Sequence, residues 1–159
     1  MALVNLFNIL QLAASGYAVL RGGAPERIVA VVLVLAAGAT AATPVDASSY
    51  FSVFYTVLWI DLALFMVLIA VALFADRYWP IWLAALQFLA IAAHGAKGYD
   101  QAIVAKAYWL ITNKLGYLIV VLLLIGTLRH RMRLAAGMQE LNWSRRYVVH
   151  DSSVPEVER

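Results

Sequence analysis

Three titratable side chains inside apolar runs, Asp61, His94 and Lys114, are the residues of this chain best placed to do chemistry. Asp61 is the only charged residue of the stretch "TVLWIDLALFMVLIA". An Asp–His pair can carry out acid–base work, and a nearby lysine can pair with the carboxylate. Charges inside a membrane cost about 2.5–3.5 kcal/mol each on insertion scales, so they are normally turned inward and paired.

Amide side chains accompany these charges. Asn5, Asn8 and Gln11 are spaced by three along one slowly rotating face of the first apolar segment. Gln87 lies two helical turns before His94 on the same face of the fourth apolar segment. Amides of this kind commonly join helices through hydrogen bonds worth about 0.6–2 kcal/mol each.

Six of these seven residues, all but Gln87, fall in the predicted outer half of their segments, whereas stretches such as "MVLIAVALF" in the inner half are almost wholly apolar. We therefore expect a one-sided polar cluster or cavity, with Asp61 at its floor and His94 and Lys114 in its wall. Purely structural roles are also open. Asp61 and Lys114 could pair to fix helix register, His94 could be a hydrogen-bonded packing residue, and Lys114 could extend to the membrane surface.

Composition defines the class of protein that carries this cluster. The chain has 159 residues, 64% hydrophobic and 13% charged, and a mean hydropathy of +0.81. Soluble domains are nearer 45–50% apolar and about 25% charged, so the composition predicts an integral membrane protein. The net charge of +3 is small and argues against nucleic acid as a partner.

Five segments are long enough to cross a bilayer, since about 20 helical residues span its hydrocarbon core. The sequence therefore predicts an all-α bundle of about five transmembrane helices within residues 1–133. The predicted spans are residues 2–20, 25–43, 50–75, 81–98 and 107–128, the last of them stopped by "RHRMR". The first segment lacks a preceding basic residue and contains three amides, which favours a retained helix over a cleaved signal peptide.

Orientation follows from the basic residues, which collect on the cytoplasmic side of membrane proteins. If the N-terminus lies outside and the C-terminus inside, the inner connections contain these arginines: Arg21, Arg27, Arg77, Arg129, Arg131 and Arg133. The last three would anchor the chain at the inner surface, as topology determinants or by binding anionic lipid. Tyr78, Trp79 and Trp82 would mark the same interface. We predict a bacterial inner membrane, with the N-terminus in the periplasm.

The predicted cytoplasmic tail covers residues 134–159. Leu134, Met138 and Leu141 recur at helical spacing and predict a short helix lying on the membrane surface. The polar end "HDSSVPEVER" predicts disorder.

Several cofactors and reactions have no support in the sequence. The absence of cysteine excludes iron–sulfur clusters, thiolate metal sites and c-type haem attachment. His94, His130 and His150 lie too far apart along the predicted bundle to share a metal. Haem or pigment bound through His94 alone is compatible with the sequence but unsupported by any second residue. No nucleotide-binding, hydrolase or metalloprotease motif is present, so an enzyme is the least favoured class.

Two functions remain. The favoured one is a non-enzymatic accessory or assembly subunit of a larger membrane complex, which implies a membrane-protein partner or a homo-oligomer beside the lipid bilayer. The alternative is a small transporter or proton-coupled binding protein that uses Asp61, His94 and Lys114. The stretches "DRYWPIW" and "RHR" resemble those of small multi-span bacterial membrane proteins, a resemblance that identifies no family.

Overall fold

The computed structural model describes the backbone of residues 2–43, 50–99, 105–138 and 143, and the side chains of residues 6–43, 55–95, 114–138 and 143. The described chain forms five helices and confirms the predicted all-α class. These are α1 (Ala2–Arg21), α2 (Ala24–Ala42), α3 (Tyr50–Phe74), α4 (Trp79–Tyr99) and α5 (Ala105–Ala135).

The helices are arranged as a closed ring. Each helix packs on the next along the chain, α5 returns to lie against α1, and α5 also touches α2. Short connections make consecutive helices antiparallel, so the α1–α2 turn, the α3–α4 turn and the C-terminus of α5 share one end of the bundle. We call this the Arg77 end. Interlocking aliphatic side chains fill the core, among them Val29, Leu68, Leu83 and Leu123.

Three helical segments among the described residues are long and apolar enough to cross a membrane: Ala24–Ala42, Tyr55–Phe74 and Lys114–Ala135. The segment Trp79–Gly95 is apolar but shorter. The chain therefore has three candidate spans, which suggests integration into a membrane. Spans over α1 and α4, and with them the count of five, stay predictions.

The α1–α2 turn is set by two glycines. A Cβ on Gly22 would lie 2.5 Å from the Ala18 carbonyl oxygen and 2.6 Å from Glu26 Cβ, so the chain can turn this tightly only with glycine there. Gly23 is the extended N-cap of α2, and proline occupies the first turn, where its missing N–H costs nothing. As a result, Glu26 is held directly against the end of α1.

The α3–α4 turn is fixed by its packing on α5. A Cβ on Gly126 would come within 2.9 Å of the Trp79 ring, so the indole lies flat on the glycine surface of α5. Trp79 was expected to mark the membrane interface together with Tyr78 and Trp82. Tyr78 and Trp82 are exposed, but Trp79 is partly buried against the core, because Gly126 leaves room for its ring.

Helix α5 runs beyond the predicted end of its span, because arginines are good helix formers even where they end an apolar run. "RHRMR" therefore does not stop the helix, which continues to Ala135. Gly137, with φ +73°, then ends it, and Met138 N–H donates to the Arg133 carbonyl at 3.1 Å. Leu134 belongs to the last turn of α5, so it does not begin a separate surface helix with Met138.

Most of the remaining tail, residues 139–142 and 144–159, lies outside the described residues, and the predictions of a surface helix through Leu141 and of disorder fall there. Trp143 is described, and it forms an isolated antiparallel bridge with Ala75 in the α3–α4 turn.

Candidate functional site

Asp61 lies at the centre of a hydrogen-bonded cluster between α3 and α4. His94 Nε2 is 2.9 Å from Asp61 Oδ2, and Gln87 Nε2 donates to Asp61 Oδ1 at 3.0 Å. Gln87 and His94 are both buried, whereas the Asp61 side chain keeps 21% of its surface exposed. Because Gln87 and His94 are two turns apart on α4, they reach the carboxylate from opposite ends of the same helix face.

The geometry fixes which way the Gln87 amide points. Its nitrogen lies 3.0 Å from Asp61 Oδ1 and 3.3 Å from the Asp61 carbonyl oxygen, and only an N–H group can face two oxygens. The Gln87 carbonyl oxygen is consequently turned away from Asp61 and remains a hydrogen-bond acceptor. This amide therefore holds both the side chain and the backbone of Asp61.

These contacts explain how a carboxylate is tolerated among apolar helices. A hydrogen bond to a charged group contributes about 1.5–3 kcal/mol, and Asp61 accepts two through its side chain. Their sum is comparable to the cost of inserting one charge at the centre of a helix, about 2.5–3.5 kcal/mol. Among the described residues, the side-chain partners of Asp61 thus both come from α4, and the exposed Lys114 is not one of them.

Asp61 also lines a cavity of about 460 Å³ to which all five helices contribute. The polar members of its wall come from four of the helices and are Asn8, Gln11, Thr40, Asp61 and Gln87. The remaining wall is apolar and consists of Phe7, Leu33, Ala36, Ala37, Ala41, Leu64, Gly116, Ile119 and Val120. The volume falls within the range of small-molecule binding pockets, about 300–1,000 Å³.

Two contacts shape the part of this wall formed by α1. Gln11 is buried and donates from Nε2 to the Leu33 carbonyl at 3.0 Å, which joins α1 to α2. Phe7 packs edge-on against Tyr117, with ring centroids 5.0 Å apart, and its ring lies over Gly116. Phe7 and Gly116 were not predicted from the sequence. The only feature that could have indicated them is that an aromatic residue on one helix and a glycine on another fall at the same level of the bundle.

Some predicted site residues take other positions. Lys114 is exposed, and it is not among the described residues that line the cavity. The expected partner of Asp61 is thus replaced by Gln87 and His94, because α4 packs directly on α3. His94 supports Asp61 but is also not a described lining residue. The side chain of Asn5 lies outside the described residues.

A second buried polar cluster lies at the Arg77 end. Arg77 Nη1 donates to Glu26 Oε1 at 2.7 Å, and Arg77 Nη2 is 3.1 Å from His130 Nδ1. The side chains of Glu26 and Arg77 are 0% and 8% exposed, and His130 is also buried. This Glu26–Arg77–His130 triad ties the start of α2, the α3–α4 turn and the end of α5 together.

The triad corrects the expectation that polar residues occupy one half of the bundle only. Arg77 was interpreted as a loop arginine that sets orientation, and Glu26 was overlooked. Their signal was present in the sequence, since an acid, an arginine and a histidine fall at one level of the predicted bundle. Buried charges are nearly always paired, so this match of opposite charges was informative.

The three arginines that flank and follow His130 behave differently from Arg77. Arg129, Arg131 and Arg133 are all exposed, at the level of α5 where the triad closes the bundle. His130 is turned inward between them. One face of α5 thus contributes His130 to the triad, and its other faces carry exposed arginines.

The described residues offer no group of three or more His, Cys, Asp or Glu side chains that could hold a metal ion. Axial binding of haem or pigment through Nε2 of His94 would require breaking its contact with Asp61. The chemistry that the arrangement can perform is instead the binding of a small molecule next to a hydrogen-bonded carboxylate. The chain matches no protein-family model, no curated protein sequence and no solved structure.

Proposed function

We propose that this chain is a polytopic membrane protein in which all five helices cross the bilayer, with the N-terminus outside and the C-terminus inside. Helices α1 and α4 have 20 and 21 residues, long enough for a core of about 30 Å. Large apolar side chains such as Trp59, Met66, Ile81 and Phe88 are more than half exposed around the outside of the ring. Lipid tails would cover them.

Within that membrane setting, we propose that the protein is a small binding protein or carrier that uses the Asp61 cavity. The observation that carries this proposal is the position of Asp61, which lines a ligand-sized, partly open cavity to which all five helices contribute. Ionisable residues inside a membrane commonly mark substrate and ion pathways.

The test is the substitution Asp61→Asn in the reconstituted protein. A carrier with this site should remain folded and inserted, because asparagine has the same shape, and should lose ligand binding and transport. Asp76→Asn is the matched control, since Asp76 is an exposed carboxylate in the α3–α4 turn. Equal transport by wild-type protein and Asp61→Asn would contradict the proposal.

A second candidate function is the accessory subunit of a larger membrane complex. It is favoured by an apolar groove between α1 and α2, of about 430 Å³, lined by Ser15, Gly16 and Ala30 among others. The Ser15 hydroxyl is buried there, with no hydrogen-bond partner among the described residues. Small residues and a hydroxyl are what a closely packed partner helix requires in a membrane.

Purification in a mild detergent, followed by mass spectrometry and an absorption spectrum, separates the two functions. A subunit should co-purify with a membrane-protein partner, and Gly16→Leu should release that partner because it fills the groove. A chain that purifies alone, with or without bound lipid, would contradict the accessory role. The Asp61→Asn test of the carrier does not depend on this outcome.

A further inference from the structure

We infer that the ligand of the Asp61 cavity is a small organic cation, an ammonium or related nitrogen cation carried on an apolar body. This inference rests on the proposed binding function and gives the chemical class of the ligand. Four properties of the cavity point to this class: its charge, its hydrogen-bonding groups, its apolar wall and its size.

The one ionisable side chain of the wall that the structure describes is an acid. Asp61 is an acid, and none of the lining residues that the structure describes is basic. Lys114 is the nearest candidate from the sequence, and it is exposed. His94 Nε2 lies 2.9 Å from Asp61 Oδ2, but His94 is not a lining residue among those that the structure describes.

Asp61, Gln11 and Gln87 bring hydrogen-bond acceptors to the wall, beside Asn8 and Thr40, which can both donate and accept. A carboxylate has about four lone-pair positions, and Gln87 and His94 each use one through the side chain of Asp61. Gln87 directs its amide nitrogen to Asp61 and keeps its carbonyl oxygen as an acceptor. Gln11 directs its amide nitrogen to Leu33 and likewise keeps its carbonyl oxygen. A ligand that donates hydrogen bonds and carries a positive charge satisfies these acceptors.

The rest of the wall is suited to hydrocarbon. Aliphatic residues from α2, α3 and α5 and the ring of Phe7 surround the carboxylate, and an aromatic ring also attracts cations. A bare metal ion would need several converging oxygen ligands, whereas Asp61 is the only acidic lining residue described. The volume of about 460 Å³ lies within the range of pockets that bind small molecules, about 300–1,000 Å³. This is room for an organic molecule.

The experiment compares three probes of matched size on the full chain in detergent or nanodiscs: 2-phenylethylammonium, 2-phenylethanol and 3-phenylpropionate. Binding is measured by calorimetry at one pH and one salt concentration, and Na⁺ is titrated as a fourth probe. We expect the ammonium to bind at least about tenfold more tightly than the alcohol or the acid. Asp61→Asn should weaken ammonium binding by at least about tenfold, and Asp76→Asn should leave it unchanged.

A second variant locates the site without altering the charge of Asp61. Ala37→Leu adds volume to a lining position on α2 and should abolish binding of the ammonium while the fold is retained. It also keeps the inference testable if Asp61→Asn does not fold, since the comparison of probes uses wild-type protein.

The possible outcomes distinguish this inference from the function on which it rests. Tighter binding of the alcohol, the acid or Na⁺, lost in Ala37→Leu, would overturn the organic cation and leave the binding function standing. An ammonium affinity that is unchanged in Asp61→Asn would also overturn the inference. If none of the four probes binds wild-type protein, the organic cation is overturned, and the Asp61→Asn transport assay then decides the proposed function independently.

Discussion

At the scale of single residues, the Gln87 amide determines what Asp61 can do. By holding both the carboxylate and the backbone carbonyl of Asp61, it fixes the position of the charge while leaving part of the side chain open to the cavity. A carboxylate paired with a lysine would have been neutralised instead. An amide partner brings no charge of its own, so the organic cation proposed above could still pair with Asp61.

Replacing Asp61 by leucine should destabilise the protein more than replacing it by asparagine. Asp61→Leu removes the acceptor for Gln87 Nε2 and for His94 Nε2, and a buried polar group that loses its partner costs about 1–3 kcal/mol. Asp61→Asn keeps an oxygen that can face Gln87. Thermal unfolding in detergent measures the difference, and equal melting temperatures for the two variants would refute this account of the cluster.

Arg77 should be among the residues most sensitive to substitution. Arg77→Met leaves the fully buried Glu26 without its cation, and breaking a buried ion pair costs about 3–5 kcal/mol. The double variant Arg77→Met with Glu26→Leu should recover most of this loss, because it removes both charges. A double-mutant cycle on unfolding free energies measures the coupling, and additive effects would contradict a direct Glu26–Arg77 interaction.

The chemistry of single positions was partly predictable. The sequence pointed to Asp61, His94 and Gln87 because polar residues in apolar helices are conspicuous, and these three do meet. Lys114 was predicted as a partner only because of its depth along its own apolar segment. Depth along a helix does not show which helices are neighbours in the bundle. Glu26 and Arg77 were overlooked, although their opposite charges fall at one level of the bundle, because a charge at a helix end or in a turn is ordinarily exposed at the surface.

At the scale of helices, glycines decide where two elements approach closely. Gly126→Ala should destabilise the protein by about 1–3 kcal/mol, since the added methyl group meets the Trp79 ring. Gly38→Ala is the matched control, because it also lies inside a helix but has open space around it. It should be neutral or stabilising by up to about 1 kcal/mol. The comparison is made by unfolding in one detergent, and equal effects would show that Trp79 does not pack on Gly126.

The bounds of four helices could be predicted from hydropathy and turn residues, but the end of α5 could not. The starts and ends of α1 to α4 were predictable to within about two residues, because glycine and proline turns coincide with the ends of the apolar runs. The length of α5 was underestimated because its apolar run ends several residues before the helix itself does. The glycine at position 137 was the better signal, since it can adopt the positive φ that ends a helix.

At the scale of the whole molecule, the number of spans can be measured directly, because the chain contains no cysteine. Single cysteines at Arg21, Tyr78 and Arg133 should be protected from an impermeant reagent added outside cells. Cysteines at Ala2, Asp46 and Asp100 should react. If α1 does not cross the membrane, positions 2 and 21 will behave alike, and if α4 does not cross, positions 78 and 100 will behave alike. Either result would reduce the number of spans below five.

The ring arrangement itself was not predictable from the pattern. Antiparallel neighbours follow from short connections, but nothing in the apolar periodicity indicates that α5 returns to α1. The cavity depends on that closure, since its wall includes residues from both helices. The sequence could therefore indicate candidate polar residues, while the cavity among them arises only from the packing of all five helices.

The Glu26–Arg77–His130 triad also has a consequence for biosynthesis. Glu26 leaves the ribosome 51 residues before Arg77. At about 5–20 residues per second, this delay is roughly 3–10 s. During that interval the first two helices carry an acid whose eventual partner has not yet been synthesised. The Glu26–Arg77 contact can form only after the α3–α4 turn has been synthesised, so the Arg77 end of the bundle closes late in synthesis.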